Sequence, residues 1–168
     1  TASKIIKFLG EKINKKESIY FQAAKNNIPV FMPAPLDGSF GDMVYFFKQA
    51  NPEFKIDVTE DAKKLIDLSI NSEKVGLIIL GAGIVKHHAC NACLFRGGAE
   101  YAVYINAAQE FDGSDAGATP NEAVSWGKIK SEDSNSKNPN KESKQNTIKV
   151  HGDATLIFPL IVQGAFKD

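Results

Sequence analysis

The chain has 168 residues, enough for one domain with a single hydrophobic core, and its 20 basic residues balance its 20 acidic ones. A neutral chain has no global positive field, so we expect no nucleic-acid partner and a ligand that is selected locally. No apolar run approaches the roughly 18 residues of a membrane-spanning helix, and two cysteines without a secretory leader predict a reducing, cytoplasmic location.

The first part of the sequence predicts helices separated by short strands. The chain to about residue 27 predicts mixed helix and turn, and residues 28–33 predict a buried strand. A turn at 37–42 opens a helix that runs to residue 49. A strand at 54–58 and a helix capped by residues 59–61 follow.

The second part predicts a parallel sheet. Val75–Leu80 is a continuous apolar run, typical of a strand that is buried on both faces. There follow a helix at 84–96, a strand at 101–105, a strand at 148–150 and a closing helix at 155–166. This alternation predicts an α/β fold with a doubly wound, mostly parallel sheet and helices on both faces. Residues 131–147, polar apart from Pro139, predict a disordered insertion.

The segment 110–128 combines acidic side chains with one tryptophan and one lysine. Carboxylates pair with ammonium groups, and the face of Trp126 can attract a cation or pack an alkyl chain. A lysine shielded among apolar and cationic groups can lose its proton and act as a nucleophile. We therefore expect a loop that holds a cation beside Lys128, although Lys128 taken alone would be read as a solvated surface lysine. Asp42, after a predicted strand, is either a helix cap or a further carboxylate of the same pocket.

Two other motifs leave alternatives open. Gly81-Ala82-Gly83 lies where a strand runs into a helix, the place where a dinucleotide pyrophosphate binds, but Lys86 replaces the third glycine of that fingerprint, so a plain tight turn is the alternative. His87, Cys90 and Cys93 are spaced to share a helix face. They fit a metal or redox site less well than a helix with small buried cysteines and a histidine that can serve as a general base.

Longer motifs carry a resemblance to the deoxyhypusine synthase family. They are Pro35–Met43, Gly81–His88, Tyr104–Asn106 with Gln109–Asp115, and Glu122–Lys128. The resemblance extends over nearly all of the chain outside the polar insertion. It implies a Rossmann-like enzyme that uses NAD to oxidise spermidine, carries the aminobutyl group on a lysine as an imine and releases 1,3-diaminopropane. The group then passes to one lysine of the precursor of eukaryotic translation factor 5A, and reduction forms deoxyhypusine.

The resemblance also implies roles for individual residues, and no metal. Lys128 corresponds to the lysine that carries the imine, and His87 to the base beside the amine that is oxidised. Positions of the spermidine pocket correspond to Asp42, Asn91, Gly113, Asp115, Glu122 and Trp126. Positions around NAD correspond to Asp37, Gly81, Ala82, Gly83, Ala107, Ala108, Asp112, Asp153 and Ala154. The family further implies a homotetramer with active sites shared across pairs of subunits.

Family members are much longer than this chain. Residues 1–168 are therefore expected to form the C-terminal part of a single NAD-binding domain, completed by an N-terminal companion segment or chain. Cleavage of a precursor before Thr1 is one explanation, and incidental proteolysis or missing residues are others.

The chain also departs from the family pattern at Ala107 and Ala116, where relatives often carry hydroxyl residues. The alternative function is a catalytically weak paralogue that activates a partner subunit, although the presence of Lys128 and His87 argues against it.

Overall fold

The structure, a computed structural model, describes residues 1–131 and 146–167. The predicted disordered insertion at 131–147 lies outside the described residues except at its ends. Its C-terminal boundary is wrong, because Asn146 is buried and Thr147 already begins a strand. The chain divides into two compact units, one covering Thr1–Leu65 and the other beginning at Ile66.

The first unit is helical. Its helices are α1 (Ala2–Ile13), α2 (Ile19–Lys25), α3 (Ser39–Ala50) and the beginning of α4 (Thr59–Asn71). A side chain at Gly10 would overlap the main-chain oxygen of Tyr20, so glycine permits the close packing of α1 against α2. The main-chain N–H and the hydroxyl of Ser3 donate to the buried Asp61 carboxylate, at 2.8 and 2.5 Å, which ties the start of α1 to α4.

Both strands predicted for this unit are wrong. Residues 28–33 and 54–58 have no strand partner among the described residues. Pro29 and Pro33 cannot donate to a strand ladder, which disfavours pairing at the first segment. The second segment turns back on α3, where the rings of Phe54 and Phe47 pack edge to face with centroids 4.9 Å apart. Farther along, Asp57 accepts from the first N–H groups of α4 at 2.8 and 3.1 Å and caps that helix.

The second unit contains the parallel sheet. Its strands are β1 (Gly76–Leu80), β2 (Tyr101–Asn106) and β3 (Thr147–His151), arranged in the order β1-β2-β3 and all parallel. Helix α5 (Ile84–Ala92) contacts β1, α6 (Pro120–Ser125) contacts β3, and α7 (Ala154–Ala165) contacts β2. The predicted α/β, Rossmann-like fold with a parallel sheet is confirmed. The helix predicted to reach residue 96 ends at Ala92 and is followed by a single 3-10 turn, Leu94–Arg96.

The core of this unit lies where the sheet meets α5 and α6. It is formed by Ile79, Cys90, Ala102, Tyr104, Ala123 and Ile129. The prediction that β1 is buried on both faces is wrong for this chain, since Ile79 is buried whereas Ile78 and Leu80 are 46% and 43% exposed. Alternate residues of a strand face opposite sides of a sheet, so only the Ile79 side of β1 is covered by described residues. Within the described residues, no helix combines the length and apolar character needed to cross a membrane.

Candidate active site

A cleft opens in the second unit, beside Tyr104 of β2 and the loop that follows that strand. The side chains that line it come from α5, β2, the loop after β2, α6 and the segment after α6. Five residues predicted from the sequence to bind spermidine or to react with it are among them: His87, Asp115, Glu122, Trp126 and Lys128. The structure therefore brings together side chains that are 41 positions apart at the extremes, as expected where parallel strands end at one edge of a sheet.

The main chain of Lys128 is fixed by two hydrogen bonds. Its N–H donates to the Ala123 oxygen at 2.9 Å, and its carbonyl accepts from the Ala99 N–H at 3.0 Å. Gly127, just before it, turns the chain with a φ of 73°, a left-handed conformation that glycine adopts without strain. Ile129, just after it, is buried in the core at 1% exposure. The half-buried Lys128 side chain is thus presented to the cleft from a fixed main chain.

His87 lies on the exposed side of α5 and lines the same cleft. Its Nδ1 atom is 3.1 Å from the side-chain amide of Asn91, one helical turn later. Asn91 was predicted as a residue of the spermidine pocket, and the structure places it in contact with the predicted base. This hydrogen bond fixes the orientation of the imidazole ring.

Lys86 is a cleft residue to which the sequence analysis gave no role. Its side chain is only 5% exposed, and Nζ donates to the main-chain oxygen of Asp115. The same ammonium group is 3.7 Å from the Asp115 carboxylate and 4.9 Å from the centre of the Tyr104 ring. A lysine directly after the apolar pair Ile84-Val85 was the available signal, because charged residues are seldom fully buried unless they are paired.

Tyr104 and Cys90 form the floor of the cleft. The Tyr104 hydroxyl and the Cys90 sulfur are 3.6 Å apart, and both side chains are almost completely buried. Burial raises the pKa of the Cys90 thiol and, together with the contact to Cys90, raises the pKa of Tyr104. Both groups therefore stay protonated and neutral in a cleft that also contains the charged side chains of Lys86, Asp115, Glu122 and Lys128.

The acidic loop begins with a 3-10 turn, Glu110–Asp112. Asp112 accepts from the Gln109 N–H at 2.9 Å, so its carboxylate closes that turn. Gly113 follows with a φ of 65°, and Asp115, with a half-exposed side chain, reaches the cleft two residues later. The loop thus places one predicted acid in the cleft and uses another to fix its own conformation.

Most of the residues predicted to surround NAD follow the carboxyl ends of the three strands. They are Gly81, Ala82 and Gly83 after β1, Ala107 and Ala108 after β2, and Asp153 and Ala154 after β3. Gly81 donates to the Ile105 oxygen at 2.8 Å, which joins the first two strand ends. Asp153 caps α7 by accepting from the Thr155 N–H at 2.8 Å. The predicted positions Asp37 and Asp42 lie in the first unit, Asp37 just before α3 and Asp42 in its first turn.

Asn106 is a second residue missed by the sequence analysis. It ends β2, is 6% exposed, and accepts from the Ala108 N–H at 3.1 Å. Its side-chain nitrogen is buried and has no hydrogen-bond partner among the described residues. Buried polar atoms in folded proteins nearly always have a hydrogen-bond partner. We therefore expect an acceptor from outside the described residues to bind this nitrogen at the carboxyl end of β2.

The metal alternative gains no support from the described residues, where no group of three or more His, Cys, Asp or Glu side chains is arranged around a common point. Cys93 Sγ contacts the Ala89 oxygen at 3.6 Å, and burial raises the pKa of its thiol. Cys90, in α5, and Cys93, directly after it, pack as small buried side chains.

Comparison with known proteins assigns the family. The deoxyhypusine synthase family model matches residues 1–165. The chain is 51% identical over 168 residues to deoxyhypusine synthase of Debaryomyces hansenii, covering 99% of this chain and 41% of that protein. It is 52% identical to the Neurospora crassa protein and 49% identical to the Caenorhabditis elegans protein, covering 99% of this chain and 44% and 42% of those proteins. The chain spans about two fifths of the length of these curated relatives. The chain belongs to the deoxyhypusine synthase family.

Proposed function

We propose that the protein transfers the aminobutyl group of spermidine, with NAD as cofactor and through an imine on Lys128, to a lysine of the translation factor 5A precursor. The reaction would yield deoxyhypusine, in the cytoplasm and within a homotetramer. The observation that carries the proposal is the convergence of Lys128, His87 and two carboxylates on one cleft. The family membership supports the class of reaction.

The cleft suits a slender polycation. Asp115 and Glu122 supply negative charge, and the 66% exposed ring of Trp126 offers a flat apolar wall for methylene groups. The neutral floor of Tyr104 and Cys90 adds no competing charge. Asp42 is proposed to hold another ammonium group of spermidine, as the family resemblance implies.

The strand ends fit a dinucleotide. Gly81 and Gly83 have φ values of 78° and 88°, and a side chain added to either would project into open space. This open space at the start of α5, together with the unsatisfied amide nitrogen of Asn106, provides a cradle and a donor for a phosphate-bearing ligand. Gly81–Gly83, Ala107, Ala108 and Ala154 would hold NAD there, with Asp37, Asp112 and Asp153 as the acidic positions. When bound, NAD would accept a hydride from spermidine and return it in the final reduction.

The chain's own residues handle the protons and the covalent bond. The Asn91 amide, 3.1 Å from Nδ1 of His87, orients the imidazole that is proposed to accept a proton from the amine that is oxidised. The neutral amine of Lys128 then adds to the oxidised carbon, and cleavage of the bond to the departing nitrogen releases 1,3-diaminopropane. The amine of the target lysine later displaces Lys128 from the same carbon, which restores the free lysine.

The proposal is tested with radiolabelled spermidine. The protein in its natural full-length form is incubated with labelled spermidine and NAD, and borohydride is added to trap any imine. We expect label that survives denaturation, release of 1,3-diaminopropane, and neither when NAD is omitted. Absence of label, with a rise in the activity of an added partner subunit, would contradict the proposal and support the regulatory paralogue.

A further inference from the structure

We propose that Lys130, through its ion pair with Glu100, is a positioning residue that fixes the register of the segment carrying Lys128. This inference rests on the proposed function, because it assigns Lys130 a part in presenting the imine lysine. Lys130 itself lies outside the residues that line the cleft.

The segment that carries Lys128 has little main-chain pairing of its own. It joins the strand region through one isolated parallel bridge, between Ala99 and Ile129. Two hydrogen bonds make that bridge, from Ala99 N–H to the Lys128 oxygen at 3.0 Å and from Lys130 N–H to the Ala99 oxygen at 2.9 Å. With so few main-chain bonds, the register of this segment depends on side-chain contacts, and the burial of Ile129 is the first of them.

A slip of one residue would be harmful at this point. Side chains alternate across an extended segment, so Ile129 faces the core while Lys128 is presented to the cleft. Moving the segment by one position would direct Lys128 toward the core and Ile129 away from it. A second contact that recognises the same register would reinforce the burial of Ile129.

The buried carboxylate of Glu100 supplies that contact. Lys130 Nζ is 2.5 Å from its Oε1 atom, while Oε2 accepts from Arg96 Nη1 at 2.6 Å and from the Val75 N–H at 2.7 Å. Glu100 is 7% exposed, so these partners are held in a site of low dielectric. On the other side, the Asn146 amide donates to the Lys130 oxygen at 2.8 Å. Lys130 is thus fixed at both its side chain and its main chain.

Replacing Lys130 removes one contact of the segment that carries Lys128, yet the buried Glu100 carboxylate keeps other partners. In Lys130→Met, Glu100 keeps its bonds to Arg96 and Val75, so the core is expected to fold. Removing Glu100 instead would leave the Arg96 side chain, which is 8% exposed, without its carboxylate. Lys130→Met is therefore the informative variant, Lys130→Arg the conservative rescue, and Lys74→Met, at an exposed lysine before β1, the matched control.

The test compares imine formation with spermidine binding in the natural full-length protein. With NAD bound, the single-turnover rate of borohydride-trapped label should fall about tenfold or more in Lys130→Met, since small misplacements of a reacting group cost rate steeply. Spermidine affinity should stay within about twofold, because Lys130 is not a cleft residue. Lys130→Arg should restore most of the rate, and Lys74→Met should match the wild type.

Each remaining outcome counts against the inference. An unchanged trapping rate in Lys130→Met, or a loss that Lys130→Arg does not recover, would overturn it. A loss of affinity equal to the loss of rate would show general damage to the cleft instead of misplacement of Lys128. Failure of the wild type to trap label would overturn the proposed function and this inference with it, so the two failures are distinguishable.

Discussion

Buried Lys86 donates a hydrogen bond to the main-chain oxygen of Asp115, and the same ammonium group lies 3.7 Å from the Asp115 carboxylate. This contact ties α5, which follows β1, to the acidic loop that follows β2. It therefore fixes the distance between the predicted base, His87, and a predicted spermidine carboxylate. The contact to the main chain matters most, because the half-exposed Asp115 carboxylate gains little from an ion pair in water.

Replacing Lys86 by methionine should loosen this loop. Because the main-chain oxygen of Asp115 loses the ammonium group that donates to it, we expect the KM for spermidine to rise about tenfold, the range for losing a hydrogen bond to a charged group. Steady-state kinetics on Lys86→Met and on the exposed-lysine control Lys74→Met measure the effect. A KM that is equal in the two variants would show that Lys86 does not hold the loop in place.

Glu100 gives the fold a defined response to acid. Burial alone would raise its pKa, but hydrogen bonds from Arg96, Lys130 and the Val75 N–H outweigh burial and lower the pKa from 4.5 to about 2. A folded-state pKa below the unfolded one stabilises the chain above pH 4.5, and this stability is lost as the pH falls toward 2. Glu100→Gln should be less stable at neutral pH and should lose less stability on acidification.

Urea unfolding at several pH values measures this difference. The control is Glu110→Gln, at an exposed acid of the loop after β2. Wild type and Glu110→Gln should lose stability steeply over the acid range, with Glu100→Gln showing the shallower decline. Parallel curves for all three proteins would contradict the assignment of acid sensitivity to Glu100.

Gly98 is required by a close approach. Its φ is 101°, and a Cβ at this position would lie 2.8 Å from main-chain atoms of Ile129 and Lys130. Gly98→Ala should therefore destabilise the protein by about 1–3 kcal/mol. Gly164, inside α7 with nothing within 4 Å of an added Cβ, is the matched control, and Gly164→Ala should be neutral or stabilising by up to about 1 kcal/mol. Equal unfolding midpoints for the two variants would refute this account of Gly98.

Cys90 and Cys93 should resist thiol reagents in the native protein. Both are 2% exposed, and burial raises the pKa of both thiols, so little reactive thiolate forms at neutral pH. Labelling with a maleimide should be slow in the folded protein and complete within minutes once denaturant is added. Fast native labelling of either residue would contradict the packing of α5 against the sheet.

The sequence predicted the parts of the site that depend on local pattern. The apolar run of β1, the glycines after it and the acidic loop each mark a strand end, and parallel strands place their ends together. The grouping of Lys128, His87 and Asp115 in one site came from the family resemblance, and this topology is consistent with it. Their roles stay predictions, since the structure gives proximity and the family gives the class of reaction.

The parts that depend on long-range partners could not be predicted in the same way. The alternation of residues 54–58 predicts a strand, but a strand also needs a neighbour, and here Asp57 caps α4 instead. Lys86 meets Asp115 across 29 positions, and Glu100 meets Lys130 across 30. No local spacing rule relates such residues, so buried charge pairs of this kind emerge only from the fold.

Mapping the trapped adduct tests the central claim most directly, because Lys86 and Lys128 line the same cleft. The natural full-length protein is incubated with NAD and spermidine, reduced with borohydride, digested and sequenced by mass spectrometry. We predict one added aminobutyl group on Lys128, absent in Lys128→Arg and retained in Lys86→Arg. An adduct on Lys86, or one that persists in Lys128→Arg, would contradict the assignment of Lys128 as the lysine that carries the imine.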